Sequence, residues 1–345
     1  MLSCFLFTAV FAFKGLETVL TLEPVPEANG FISAPYDVTV DPDGNIYVLD
    51  TSASTVFYWN AQGKFMGNIG AKGEGPGELT FFAGSGGPHG YVGVTDSEIL
   101  LYEANRELSR FDRKKTYQST LHLQVTPGRI NLFKAMGNGG FLVSNSNYGT
   151  HPTIVIRLVS SEGKVVKDLL QVSDKSYKLV EKPERTWHFF PYSEKAFATY
   201  DDIEKRVIQG RTHEPFIELL DDEGNMQKKI KLEVPRRSFS KEDKTEFLDR
   251  RKLSFKHKYF FPDYMPVFTN IIPLAGDRML VYVQSTNYRK CWGNIVDLQG
   301  KPRGRFEVTC GQNGGLFGSR HKIIGIFTGE GKDEDFSIRV LEPRL

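Results

Sequence analysis

The chain has 345 residues, 40% apolar and 12% aromatic, which excludes a disordered polymer and leaves ample material for a large core. With 44 basic and 42 acidic residues the net charge is +2, so no global field draws the molecule to nucleic acid or to an anionic membrane. Thirty-three Gly against six Met, spread in turn-like clusters, favour many short strands over long helices and an all-β fold.

The first element in chain order is the apolar run Phe5 to Phe13, followed by Lys14-Gly15. It is too short to span a bilayer and is similar to the apolar region of a secretory signal. Residues 1–15 are therefore expected to be a signal or truncated signal segment; a buried strand is the alternative, because no Lys or Arg precedes the run. Leu2-Ser3-Cys4 resembles the end of a lipoprotein box. Export places the body outside the cytoplasm, in the periplasm or at the cell surface, with a membrane anchor as an option. No later apolar run approaches the ~20 residues of a transmembrane helix.

From residue 16 onward one hairpin turn recurs. Its copies are Asn60-Ala-Gln-Gly63-Lys64, Ser160-Ser-Glu-Gly163-Lys164, Asp221-Asp-Glu-Gly224-Asn225 and Asp297-Leu-Gln-Gly300-Lys301, with a degenerate copy over Asp112-Thr116. Each has an Asx or Ser turn start, and most have a Gly suited to positive φ. Before each turn lies a strand pair. The expected inner members are Ile46-Asp50, Ile99-Glu103, Phe141-Asn145, Ala196-Tyr200, Met279-Val283 and Lys322-Phe327. A more polar fourth strand, such as Lys64-Ile69, follows the turn as an outer edge strand. The pattern predicts a single six-bladed β-propeller over residues 16–345. Its last blade lacks a fourth strand and Thr18-Val25 is unassigned, so the N-terminal strand is expected to pair with Phe336-Leu341 and complete that blade.

The period breaks once, between blades four and five, where Ala196 and Met279 are 83 residues apart. A short helical insertion is expected at about 236–264, with Ser240-Lys-Glu-Asp243 as the helix cap and Phe247, Leu248 and Leu253 on one face. Between Arg236 and Lys258 there are nine basic and four acidic residues, including Arg250 and Arg251. This segment reads either as a solvated face or as a basic lid offered to an acidic ligand.

Ile69-Gly-Ala-Lys-Gly-Glu-Gly-Pro-Gly-Glu-Leu79 resembles the IGxKGxGPGEL signature of bacterial six-bladed propellers, NHL-like proteins that are commonly exported and often lipoproteins. Pro35-Tyr36-Asp37-Val38 leading into Asp41 to Asp50 is similar to the NHL strand-turn-strand pattern. The resemblance implies the propeller fold and export, and no particular chemistry. The GxGPGE stretch is not a phosphate loop, since no GK[ST] follows it.

Propellers bind ligands where inner strands converge on the axial channel. The candidate ligand-binding residues, taken just before each inner hairpin, are Tyr36 and Asp37, His89, Arg129, His188, Phe268, and Arg320 with His321; Arg250 and Arg251 join them from the lid. His89, His188 and His321 fall in alternate blades, a three-fold arrangement able to hold one axial metal, zinc or calcium, with an open position. That set resembles the zinc-dependent peptidyl-hydroxyglycine amidating lyases, whose metal histidines follow a proline; Pro88-His89 has the proline, whereas His188 and His321 do not. A calcium lactonase-type site would have only Asp37 and Asn131 as candidates. No GxSxG, HExxH or CxxC motif is present. Cys291 and Cys310 flank the Gln299-Gly300 turn and read either as a cross-strand disulfide or as two buried thiols. The expected function is an extracytoplasmic binding or assembly module that takes a protein or small molecule at the channel mouth; the alternative is a metal-dependent lyase or hydrolase at the same mouth, and a third reading is a structural role as a subunit of a larger envelope complex.

Overall fold

The recurring turn has one backbone solution in all its copies. In the computed structural model of the chain, Asn60, Asp112, Asp221 and Asp297 each accept the main-chain N–H four residues on, at 2.8 to 3.0 Å, and the Ser160 hydroxyl does so at 3.4 Å. Gly63, Gly163, Gly224 and Gly300 reverse the chain with φ between +76° and +81°. Lys115 fills the same slot at +69°, a conformation that costs an L-residue about 1–2 kcal/mol. The structure describes residues 15–81, 90–103, 107–125, 128–147, 152–180, 186–249, 257–284, 290–311, 314–328 and 336–344.

The strands run as antiparallel meanders. After β1 (Leu16–Thr21) the first sheet is β2 (Pro35–Val40), β3 (Ile46–Asp50), β4 (Thr55–Trp59) and β5 (Phe65–Ile69). The second is β6 (Gly90–Val94), β7 (Glu98–Glu103), β8 (Glu107–Asp112) and β9 (Tyr117–His122). The third is β10 (Arg129–Ala135), β11 (Phe141–Asn147), β12 (Thr153–Val159) and β13 (Val165–Ser173). Next come β14 (Tyr177–Val180) and β15 (Thr186–Phe189), then the fourth sheet, β16 (Ala196–Asp201), β17 (Arg206–Arg211), β18 (Phe216–Leu220) and β19 (Met226–Lys231). Helix α1 (Lys241–Asp249) and β20 (His257–Tyr259) precede the fifth sheet, β21 (Asn270–Leu274), β22 (Arg278–Gln284), β23 (Lys290–Asp297) and β24 (Pro302–Thr309). The last three strands, β25 (Gly315–Ser319), β26 (Lys322–Thr328) and β27 (Phe336–Pro343), share their sheet with β1, which pairs Leu16 with Pro343 and Thr21 with Arg339.

The fold is all-β: six four-stranded sheets and one three-stranded sheet, β14-β15-β20, among the described residues. Each buried apolar cluster joins two consecutive sheets. Tyr47, Leu49 and Val56 meet Val92, Ile99 and Leu101 between the first and second, and corresponding clusters follow to the sixth. A further cluster sets Ile324, Ile326 and Val340 of the last sheet against Val38, Val40 and Val48 of the first. Each such side chain contributes about 1.5–3 kcal/mol when fully buried.

The apolar runs expected as innermost are in fact the second strands of their sheets, except Ala196–Tyr200, which lies in a first strand. It is the first strands that touch one another: β2 contacts β6 and β25, β6 contacts β10, and β21 contacts β16 and β25. A second strand is covered on both faces and can read as an unbroken apolar run, as buried Ile46–Leu49 does. The first strand keeps polar positions such as Asp37 and Thr39, which disguised its place.

Helix α1 is capped reciprocally, Asp243 N–H donating to the Ser240 hydroxyl at 3.1 Å and Ser240 N–H to the Asp243 carboxylate at 3.0 Å. Phe247 packs edge-on against Tyr259 and Phe261, at 5.7 and 5.3 Å. Strand β20 pairs parallel with β15, so the described material outside the six four-stranded sheets includes Tyr177–Val180 and Thr186–Phe189 as well as α1 and β20.

Candidate binding site at the start of the inner strands

Side-chain contacts show that the first strands begin at one common end. Asp37, third in β2, accepts the N–H of Val92, third in β6, at 3.1 Å, and faces the Lys134 ammonium of β10 at 3.7 Å. Tyr36 stands edge-on to Tyr91 with ring centroids 5.9 Å apart, and the Arg129 guanidinium is close enough to act on the Tyr91 hydroxyl. Three strands thus deliver Tyr36, Asp37, Tyr91, Arg129 and Lys134 to one place. Burial holds the Asp37 carboxyl above the usual carboxylate range, although Lys134 and the Val92 amide pull it down. Burial, then Tyr36 and Asp37, pushes the Tyr91 phenol up. The cluster offers phenols, two cations and one carboxylate, a set suited to holding a polar or acidic group rather than to nucleophilic chemistry.

Farther round the same end, a cavity of about 290 Å³ between the fourth and fifth sheets is lined by Tyr192, Ser193, Lys195, Thr212, Asn270 and Gln284. Lys195 is held by Asp174 at 2.5 Å. The carboxyl of Asp174 is buried, which alone would raise its pKa, but Lys195 and Ser176 bring it below the ordinary value.

Arg320 and His321 lie at the other end of the strands. They form the two-residue turn from β25 into β26, both with positive φ, +48° and +62°. The cause is the strand order described above: β26 is a second strand, so the residues before it follow an inner strand rather than precede one. There Arg320 N–H donates to Asp202 at 3.1 Å, and His321 Nε2 lies 2.9 Å from Asp201, which also accepts Arg206 Nε at 3.1 Å. Nearby, Asp96, Glu98, Arg110, Asp202, Lys205 and Arg320 line a cavity of about 170 Å³. Burial pushes the Asp202 carboxyl up, with Arg320 opposing.

The remaining sequence candidates scatter. His188 is in β15, its ring 4.9 Å from Phe260, and β15 precedes the start of β16. His321 is bonded to Asp201 at the end of β16. Phe268 is fully buried and packs edge-on against Phe197 at 5.8 Å, a core role. Asn131, on β10, has its carboxamide bonded to the Ser146 hydroxyl. His89, Arg250 and Arg251 lie outside the described residues, as do residues 1–14. Among the described residues no three His, Cys, Asp or Glu side chains group to hold a metal ion. Cys291 and Cys310 are buried thiols with sulfurs 3.9 Å apart. Sequence reasoning missed Tyr91 and Lys134. Tyr91 had a signal, since Gly90-Tyr91-Val92 occupies in β6 the place of Pro35-Tyr36-Asp37 in β2.

A family model described as a 6-bladed beta-propeller matches residues 31–135. The chain folds as a β-propeller. Among solved structures, a protein of Bacteroides fragilis described as exported is 10% identical, covering 98% of this chain and 98% of that one, with a TM-score of 0.55. A member of the DUF4221 family from Bacteroides vulgatus is 11% identical over 96% and 99% of the two chains, with a TM-score of 0.53. At such identities the likeness carries the fold alone. No curated protein matches the sequence. Among the described residues no helix is long and apolar enough to cross a membrane.

Proposed function

We propose that the chain is a six-bladed ring closed by β1, acting outside the cytoplasm as a binding or assembly module that takes a ligand or protein partner at the end where Tyr36, Asp37 and Arg129 gather. Closure is supported by a repeated contact. Glu23 N–H, just past β1, donates to Gly63 O at 2.8 Å, as Gln124 N–H past β9 does to Gly163 O and Glu233 N–H past β19 does to Gly300 O. Strand β1 therefore acts on the first blade as an outer strand acts on the blade that follows it. The apolar cluster between the last and first sheets supports the same reading. Export is supported by the N-terminal apolar run and by the exported protein among the structural neighbours.

The observation that carries the binding role is the convergence of phenol, carboxylate and two cations from three blades at one end. Its excess of positive charge suits a partner that presents a carboxylate or another acidic group, within a larger envelope complex. The test is retention of envelope components by the immobilised full chain, compared with its Tyr36→Ala/Arg129→Ala variant. The proposal expects a discrete component held by the first and at least ~10-fold less by the second, a loss of about 1.4 kcal/mol. Equal retention by both, or none by either, refutes it.

A further inference from the structure

The fifth blade holds two thiols in contact where it meets the last one. Cys291 lies on β23 opposite Val308, and Cys310 follows β24 two residues beyond Val308, so the two sulfurs share a face of the sheet. Both residues are fully buried, and the sulfurs are 3.9 Å apart. They sit in the cluster formed by Tyr282 and Phe306 of the fifth sheet, Leu316 and Leu341 of the last, and Leu16 of β1. Cys310 O accepts the N–H of Thr328, so its backbone is tied to the last sheet. Beyond Cys310 the chain leaves the strand through Gly311, at φ +81°. Cys310 lies one residue past Thr309, the last residue of β24 paired with β23, and rotation about Cα–Cβ can close the remaining ~1.9 Å to a bond of ~2.05 Å.

We propose that Cys291 and Cys310 form a disulfide that fastens the fifth blade to the segment leading into the last one. The hydrogen bond to Cys310 and burial push the Cys291 thiol well up, so in the finished fold it is a poor thiolate. Oxidation consequently belongs to folding, before the core closes. One thiolate attacks a small disulfide oxidant and expels one of its thiolates; the other cysteine then attacks the mixed disulfide and expels the second. The Cys291–Cys310 bond forms, the oxidant's bond breaks, and two electrons and two protons leave with the resulting two small thiols. The site is independent of any ligand at the channel mouth. It is also distinct from a metal site, since no third ligand groups with the pair among the described residues.

The test is to refold the full chain carrying Cys4→Ser with oxidised and reduced glutathione, with reductant alone as the parallel sample. Peptide mapping of the oxidised protein then shows Cys291 joined to Cys310, and no thiol is alkylated after denaturation. Its thermal midpoint lies about 5 °C above that of the reduced protein, the shift expected from closing a loop of this length in a chain of this size. The reduced protein is also folded, so a failure to fold is not mistaken for a failure to bond. The Cys291→Ser/Cys310→Ser variant abolishes the difference between the two samples. A folded protein from the oxidising buffer with both thiols still alkylatable, or a joined pair with no rise in midpoint, overturns the proposal.

Discussion

The two ends of the inner strands are built from the same six strands and use charge in opposite ways. At the starting end, Tyr36, Tyr91 and Arg129 stand on separate strands, and Asp37 meets a single cation at 3.7 Å. At the finishing end, the Asp201 and Asp202 carboxylates accept from Arg206, Arg320 and His321, and the two turn residues are kept at positive φ. Each such residue costs of order 1–3 kcal/mol and persists because its surroundings over-determine it. One end binds its carboxylates to cations and backbone amides through several short contacts, and the other gathers phenols, cations and one carboxylate from three strands.

The comparison breaks first if Asp201 proves dispensable. Asp201→Ala removes the acceptor of Arg206 and His321 and of the Ile203 and Glu204 amides, leaving the largely buried Arg206 guanidinium only the distant Asp277 carboxylate at 4.0 Å. It is expected to cost about 3–5 kcal/mol in denaturant unfolding while retention of an envelope partner by the folded fraction is unchanged. Tyr36→Ala is the converse: affinity falls by about 10-fold in a binding titration, and unfolding shifts by about 1–2 kcal/mol through the lost ring contact with Tyr91, less than for Asp201→Ala.

Asp37→Asn sharpens the contrast through pH. Its carboxyl has a raised pKa, so its ionisation works against the folded state; stability present at low pH is lost as the pH rises through the folded-state value. The Asn variant keeps an acceptor for the Val92 amide without the buried charge. It is expected to be more stable than the parent at neutral pH, the gain disappearing below the ordinary carboxylate range. A variant less stable at pH 7 would show that the Lys134 contact outweighs burial. The smallest effect is at the finishing end, where Lys205 holds φ +52° in the turn between β16 and β17. Lys205→Gly relieves that strain at the cost of chain entropy, for a net gain of about 0.5 kcal/mol in chemical denaturation, with the starting end unaffected.

Much of this architecture is legible in the sequence because it is written in turns. Asp221 and Gly224 specify their hairpin locally, and the Lys115 copy stays recognisable because Asp112 keeps the same hydrogen bond. The order of strands within a sheet is less legible. An axis-facing strand such as Pro35–Val40 carries polar residues, whereas the strand behind it is apolar on both faces, so apolarity points one strand too far out. That displacement is what placed Arg320 and His321 in the turn after an inner strand, whereas Tyr36, Asp37 and Arg129 lie near the start of one. Lys134 was invisible for a different reason. It sits six residues into β10 and reaches Asp37 only through its long side chain, a contact that spans two blades and has no local signature.

The most direct test places a photo-crosslinking residue at Tyr36 in one copy of the full chain and at Ile203, exposed at the finishing end, in another, with both irradiated in the envelope fraction. The account predicts a discrete adduct from position 36 and none from position 203. Adducts from position 203 alone, equal labelling at both positions, or none at either contradicts it.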